Sequence, residues 1–387
     1  MIPAGIIAEF DPFHNGHKYL IEKARENGST HIAVVMSGSA VQRGTPAFLD
    51  KYFRAETAVK NGADLILEMP VPYSCSNAET FAKAGITALA SLGKGFIKRL
   101  YFGSETDNTA LLQRAAAASL QLKDSPTVRR LLKQGASYPS AVYKACRTEY
   151  GDETASALES PNSTLAVEYC KAISLTAPGI EPFAVLRTGT GHDCPNTDNG
   201  FASGSKLREM ILQGKDTSEY MPFEANDYCN VSKLDTTFLY RLMTVQKEEL
   251  LGLPDMNEAL CNRILKARNA TYSDTESFLE ACKAKNITAA KLRRTALHLV
   301  LGINKSFMIP LPYLKILAFN KRGAELLQAA DPLLPIGTSP ARLEKLSAGA
   351  QKVAEAERNA SILRSLGTSS GRIDNEYTRK IQIINTF

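Results

Sequence analysis

The sequence predicts an α/β protein built on a doubly wound parallel sheet, a Rossmann-like arrangement, followed by a mainly α-helical C-terminal part. Three observations carry this. Apolar runs of strand length recur near 4–10, 31–36, 64–68 and 97–102, and helix-favouring stretches separate them, as crossover connections between parallel strands require. The first run, Ala4-Gly5-Ile6-Ile7-Ala8-Glu9-Phe10, passes directly into a turn, Asp11-Pro12-Phe13-His14-Asn15-Gly16-His17, and then into the helix-favouring Lys18-Tyr19-Leu20. Beyond about residue 225 strand-like runs give way to helical patterning.

Taken in order, the elements divide the chain. From Asn108 to about Lys171, Ala-rich and charge-interleaved segments read as helices that cover the sheet. Ile180 to Leu186 reads as a further strand feeding a loop at Arg187, and a helix is expected at 204–213, with Ser203 as its N-cap. The polar stretch Gly214-Lys215-Asp216-Thr217-Ser218-Glu219 then leads out. The expected domains are therefore 1–220, with a helical insertion at about 108–171, and a mainly helical, basic 221–387. The tail from Arg372 to Phe387 is expected to return to the body.

Composition narrows the functional class. With 387 residues, 44% of them hydrophobic, the chain can bury two cores. No basic region, apolar run and cleavage site opens it, and no apolar stretch approaches a membrane span, so a cytoplasmic protein without membrane association is expected. Seven cysteines form no CxxC pair and read as reduced thiols, with no metal site implied. The net charge of +6 is uneven: residues 1–230 carry 23 basic and 25 acidic side chains, whereas residues 231–387 carry 23 and 15. A polyanion partner for the second part follows.

The first turn carries the chemistry. A helix start offers free N–H groups and the positive end of a dipole, both suited to phosphate. His14 and His17 lie three residues apart and face the same way on a first helical turn, and Gly16 between them lets a nucleotide approach the backbone. Donors so placed stabilise charge on a phosphoryl group in transfer. One helix N-terminus cannot neutralise a triphosphate, and a second set of groups stands at Ala202-Ser203-Gly204-Ser205-Lys206-Leu207-Arg208-Glu209. There Ser203, Ser205 and Arg208 provide hydroxyls and a guanidinium suited to further phosphates. These two motifs resemble the H-x-G-H and S-x-S/T-x-x-R signatures of the adenylyl-transferring nucleotidyltransferase superfamily.

The segments between narrow the resemblance. Val35-Met36-Ser37-Gly38, Val41-Gln42-Arg43-Gly44-Thr45-Pro46-Ala47 and Asn61-Gly62-Ala63-Asp64-Leu65-Ile66-Leu67-Glu68-Met69-Pro70 closely resemble the tRNA(Met) cytidine acetate ligase family. Phe102-Gly103-Ser104-Glu105, Ser160-Pro161-Asn162-Ser163 and Leu186-Arg187-Thr188-Gly189-Thr190-Gly191-His192-Asp193 continue the match, which runs past residue 320. Members often carry Asn where this chain has Asp11, and this chain is one residue shorter before His192, which reads as a loop histidine. The resemblance implies a ligase that joins acetate to ATP with Mg2+, without acetyl-CoA, and passes the acetyl group to N4 of the wobble cytidine of elongator tRNA(Met). It implies no obligatory protein partner. It places ATP contacts on Ile7, Ala8, Glu9, Phe10, Asp11, Pro12, Phe13, His14, Asn15, Gly16, His17, Lys18, Tyr19 and Leu20, and on Gly103, Asn162 and Arg187. Catalytic roles fall on His14, His17, Ser203, Ser205 and Arg208.

For the tRNA the basic clusters of the second part are the candidates: Lys283, Lys285, Lys291, Arg293 and Arg294, then Lys315, Lys321 and Arg322 beside Tyr313 and Phe319. Ser37, Gln42 and Arg43 follow the second strand and read either as ligand contacts, which a parallel sheet places there, or as loop scaffolding. Asp50, Lys51 and Arg54 read either as substrate ligands or as a solvated helix face, and Asp64 and Glu68 as structural carboxylates. Two rival functions share parts of this pattern. One is an adenylyltransferase acting on a phosphorylated cofactor precursor, and the other is a non-catalytic RNA- or nucleotide-binding protein.

Overall fold

The computed structural model describes residues 1–187, 200–373 and 375–385. Its strands are β1 (Pro3–Ala8), β2 (His31–Ser37), β3 (Ala40–Val41), β4 (Thr45–Pro46), β5 (Leu65–Met69), β6 (Arg99–Ser104), β7 (Glu181–Leu186), β8 (Leu314–Phe319), β9 (Ile336–Gly337) and β10 (Gln382–Ile383). All but β3 and β4 form one sheet in the order β10-β8-β5-β2-β1-β6-β7, with β9 beside β8. The run β5-β2-β1-β6-β7 is parallel throughout. β1 is central, with Ile6 in register with Val34 on one side and Tyr101 on the other.

Apolar residues stand at consecutive rather than alternate positions in β1, β2 and β5 because both faces of the sheet are covered. One face packs Ile7, Val35 and Leu67 against Phe81, Leu89, Val167 and Ile173 from helices Ala78–Ala90 and Pro161–Thr176. The other packs Ile6, Val34 and Ile66 against Leu20, Ile21, Ala55 and Val59 from helices Asn15–Glu26 and Lys51–Lys60. Each fully buried aliphatic side chain contributes roughly 1.5–3 kcal/mol. The expected helical insertion forms helices Thr109–Leu122, Pro126–Lys133, Tyr138–Ser156 and Pro161–Thr176.

Residues 221–387 are mainly helical, as the pattern indicates, but they also return strands to the sheet. β8 lies antiparallel to β5, with Leu65 beside Phe319 and Glu68 beside Lys315, and β10 pairs with β8. The helical region has its own core, including Phe238, Leu242, Phe278 and Leu297, and that core continues into Ala40, Val71 and Cys75 of the sheet-bearing part. Tyr313 and Lys315, read from the sequence as an RNA-gripping surface, are 2% and 3% exposed. Lys315 cannot meet a polyanion there.

Lys315 belongs to a buried ionic cluster. Its Nζ lies 3.2 Å from Glu68 and 2.8 Å from Glu376. Lys51 pairs with Glu68 at 2.6 Å, with Glu357 at 2.9 Å and with Glu376. Burial opposes the charge on Lys51, yet Glu357, Glu376 and Glu68 raise its pKa well above the ordinary lysine value. Burial would raise Glu376 too, but Lys51 and Lys315 bring it down to about 2. The tail thus does return to the body, carrying Glu376 into this cluster. Among the described residues no helix is long and apolar enough to cross a membrane.

Candidate active site

In an open parallel sheet ligands bind beyond the carboxyl ends of the strands, where the strand order reverses. Here the reversal falls between β1 and β6. The end of β1 carries the histidine motif, and the end of β6 carries Gly103 and Glu105.

His14 caps helix Asn15–Glu26, and His17 completes the cap reciprocally. The Gly16 N–H donates to His14 Nδ1 at 3.0 Å, and the His14 N–H donates to His17 Nδ1 at 3.2 Å. The two rings stack with centroids 3.9 Å apart. A Cβ at position 16 would stand 2.9 Å from His14 Cε1, which accounts for glycine there. An accepting Nδ1 carries no proton, so each neutral ring holds its proton on Nε2. Both rings are neutral: burial, with Arg187 and Arg208, pushes His14 down to about 3. Burial, His14 and Arg187 hold His17 well below the ordinary imidazole range. A neutral pair so bonded offers directional Nε2–H donors rather than positive charge.

This has a measurable consequence. His14 is expected to take up no proton between pH 8 and 5, and its ring resonances should titrate only near 3. Because its folded pKa lies below the ordinary 6.5, its contribution to stability is present above pH 6.5 and is lost as the pH falls towards 3. Nuclear magnetic resonance of the folded protein checks this, and a midpoint near 6.5 would contradict it.

The second motif lies alongside. Ser203 caps helix Gly204–Leu212 by accepting from the Lys206 N–H at 3.2 Å. Ser205 Oγ accepts from Arg43 Nη1 at 3.0 Å and from Arg208 Nη2 at 3.3 Å. Arg208 Nη1 also donates to the Asp11 carbonyl. The Asp11 carboxylate accepts from the Phe48 and Leu49 N–H groups at 3.0 and 3.2 Å, and Glu9 accepts from the Gln42 N–H at 2.7 Å. Asn15 Nδ2 donates to the carbonyls of Gly200 and Glu219. The two motifs and the loop after β2 are thus one bonded unit. Within 7–20, the side chains of Ile7, Phe10, Phe13 and Leu20 pack in the core.

Arg54, weighed from the sequence as a ligand or a solvated face, is neither. It is fully buried and donates to the carbonyls of Glu9 at 2.6 Å, Ser37 at 3.0 Å and Leu49 at 3.0 Å, and to that of Gly38. It fastens the ends of β1 and β2. Glu357 holds the same turn from the opposite polarity, accepting from Ser39 N at 2.6 Å and Val71 N at 2.8 Å. Sequence reading gave Glu357 no role, because its partners are about 300 residues away in the chain.

At the far side of the crevice the Arg187 N–H donates to the Ser104 carbonyl at 3.0 Å. A Cβ on Gly103 would sit 3.3 Å from Arg187 Cγ. Asn162 lies in the first turn of helix Pro161–Thr176. Its partner, Glu105, stood in the sequence within the matching segment Phe102-Gly103-Ser104-Glu105 but was given no role of its own. His192 and the rest of its loop lie outside the described residues.

The basic residues expected to meet RNA do not form one surface. Helix Ala289–Leu301 packs on the loop after β2, where Gly44 adopts φ 88° and comes so close that a Cβ would lie 2.3 Å from Arg294 N. Arg294 donates to the Gln42 carbonyl at 3.1 Å. Arg293 holds Glu276 at 2.6 and 2.8 Å and lines a cleft of about 360 Å³ together with Arg43, Ser205 and Arg208. Lys283 and Lys285, before that helix, are exposed, with Lys283 paired to Glu280, and Lys291 is half-buried. Lys321 and Arg322 are exposed but follow Phe319, which lies beside Leu65 at the start of β5, at the opposite end of the sheet from His14. Among the described residues no group of three or more His, Cys, Asp or Glu side chains is placed to hold a metal ion.

A parallel sheet whose central strand ends in a neutral histidine pair, opposite a capped helix with serine and arginine, defines the class as an α/β nucleotidyltransferase. The family model described as HIGH Nucleotidyl Transferase matches residues 1–372. The tRNA(Met) cytidine acetate ligase of Syntrophotalea carbinolica is 32% identical over 89% of this chain and 86% of its own. That of Caldicellulosiruptor saccharolyticus is 33% identical over 85% of each. The chain belongs to the tRNA(Met) cytidine acetate ligase family of HIGH nucleotidyl transferases. Its fold is shared with Thermotoga maritima TmcAL, 24% identical with both chains covered in full, at a TM-score of 0.90 for the apo form and 0.88 for the form bound with alpha-thio ATP.

Proposed function

We infer that this chain activates acetate with ATP and transfers the acetyl group to N4 of the wobble cytidine of elongator tRNA(Met). The observation that carries this reading is the capped, neutral His14–His17 pair set against Ser205 between two guanidinium groups. The relatives' names supply the acceptor and the acid.

In the first half-reaction an acetate oxygen attacks the α-phosphorus of ATP, and the bond to the β-phosphate oxygen breaks. Acetyl-adenylate and pyrophosphate result. Nε2–H donors of His14 and His17 meet the charge that grows on the α-phosphoryl oxygens, and Ser203, Ser205 and Arg208 hold the pyrophosphate as it leaves. Mg2+ bound to the triphosphate as part of the ATP substrate would offset its charge. Gly103 and Asn162 meet the nucleoside end, and Arg187, whose charge is felt by His14 and His17, lies near the phosphate or the acyl-adenylate. In the second half-reaction the exocyclic amine attacks the acetyl carbonyl, AMP departs, and the amine loses a proton; acetyl-CoA takes no part. The base must be unstacked to be reached. Residues 1–220 carry the adenylating chemistry and 221–387 present the tRNA through Lys283, Lys285, Lys291, Arg293 and Arg294, of which Arg293 lines the cleft beside Ser205 and Arg208. Lys321 and Arg322 serve only a tRNA that wraps past the sheet, and Lys315 is withdrawn from the set. The protein acts in the cytoplasm without an obligatory protein partner.

The test is transfer of labelled acetate, with ATP and Mg2+, to an elongator tRNA(Met) transcript and to the same transcript with uridine at the wobble position. Label in the first alone is expected. Acetate-dependent pyrophosphate release without label in either would reopen the acceptor. Release that depends instead on a phosphorylated cofactor precursor, or no release at all, would favour the rival readings.

A further inference from the structure

Glu105 is bound more completely than a strand-end carboxylate at the surface needs to be. It accepts from Ser160 Oγ at 2.7 Å, Asn162 Nδ2 at 2.6 Å, Ser163 N at 2.8 Å and Ser163 Oγ at 2.9 Å. Burial opposes its charge, but the bonds from Asn162, Ser160 and Ser163 hold it below the ordinary carboxylate range. It is therefore ionised near neutrality and can only accept. Helix Pro161–Thr176 has no cap from the Ser160 side chain, and Glu105 takes that place from outside the helix.

Asn162 is the consequential partner. An amide beside an acceptor-only carboxylate must turn its NH2 towards it, so the orientation of Asn162 follows from chemistry alone. Its Oδ1 and its second Nδ2–H, held in a fixed order, are then left to meet a ligand. Its partner Glu105 directly follows β6 at the strand-order reversal, two residues after Gly103, and on the functional reading above the nucleoside binds there. Adenine presents an amino donor where guanine presents the O6 acceptor. An oriented carbonyl oxygen favours the first and repels the second.

We propose that Glu105, by fixing the Asn162 amide, makes this site select an adenine over a guanine nucleotide. Glu105 is a positioning residue and Asn162 the one that touches the base. The inference rests on the ATP reading above but not on acetate or tRNA.

Equilibrium binding of ATP and GTP, titrated by calorimetry against the full chain, tests it. Asn162→Ala removes the acceptor, and the ratio of GTP to ATP dissociation constants is expected to fall at least about tenfold, the loss of one oriented hydrogen bond. Glu105→Gln supplies an amide that can itself donate, which frees Asn162 to turn its NH2 outwards. ATP should then bind more weakly and GTP more tightly, so that the ratio falls by a similar factor. A merely structural role would weaken both nucleotides together and leave the ratio unchanged. The double variant should lose no more than either single one. A wild-type ratio in Asn162→Ala, or in a folded Glu105→Gln, overturns the proposal, and Asn162→Ala decides it alone if Glu105→Gln does not fold. A wild type that binds ATP selectively but releases no pyrophosphate with acetate would defeat the functional reading and leave this one standing. A wild type that binds neither nucleotide defeats both.

Discussion

Alanine in place of His17 is expected to lower acetate-dependent ATP–pyrophosphate exchange by at least about 100-fold. The ring contributes an Nε2–H donor whose direction is fixed before substrate arrives, because its Nδ1 is engaged by the His14 N–H and its face by the His14 ring. Donors that need no reorganisation are the ones that lower a barrier. The substitution also removes the acceptor for the His14 N–H, a capping loss of about 1 kcal/mol, which does not unfold a chain of this size. The deficit should therefore appear in exchange per folded molecule. Near-normal exchange in a folded His17→Ala protein would remove the histidine pair from the mechanism.

The largest expected loss of stability follows from Lys51→Ala. Lys51 is buried and offsets Glu68, Glu357 and Glu376; without it Lys315 still faces Glu68 and Glu376, while Glu357 loses its ion-pair partner. Taking one partner out of a buried ionic group costs about 3–5 kcal/mol, because the remaining charges are neither solvated nor paired. The urea midpoint should fall accordingly. The pH dependence gives the diagnostic sign. In wild type Glu376 lies at about 2, below its ordinary value of 4.5, so its contribution is present above pH 4.5 and is lost as the pH falls towards 2. In the variant the crowded carboxylates bind protons more readily folded than unfolded, so its deficit should shrink as the pH is lowered from 7 to 5. A deficit independent of pH would mean that lost packing, not charge, is responsible. The effect reaches the active site, because Glu357 also holds Ser39 and Val71 at the ends of β2 and β5.

What the amino-acid order determined by itself is local. The strands near the first three apolar runs fall within one or two residues of expectation, because a strand covered on both faces must be apolar throughout. The serine motif was legible because capping acts within one helical turn, and the histidine motif because phosphate binding does, whereas the caps made by His14 and His17 themselves came from the structure. The long-range polar pairings were not. Leu314-Lys315-Ile316-Leu317-Ala318-Phe319 contains a lysine and looks like a surface, yet it is a buried strand because Glu68 and Glu376, from distant segments, neutralise it. Arg54 reads as a substrate ligand or a solvated residue until four carbonyls from three segments converge on it. Tertiary structure alone divides the basic residues, setting Arg293 in the cleft beside Ser205 and Lys321 at the opposite end of the sheet. The physical reason is common to all three: a charge is stable in the interior only where its partner arrives, and that arrival depends on strand order, which local sequence does not encode.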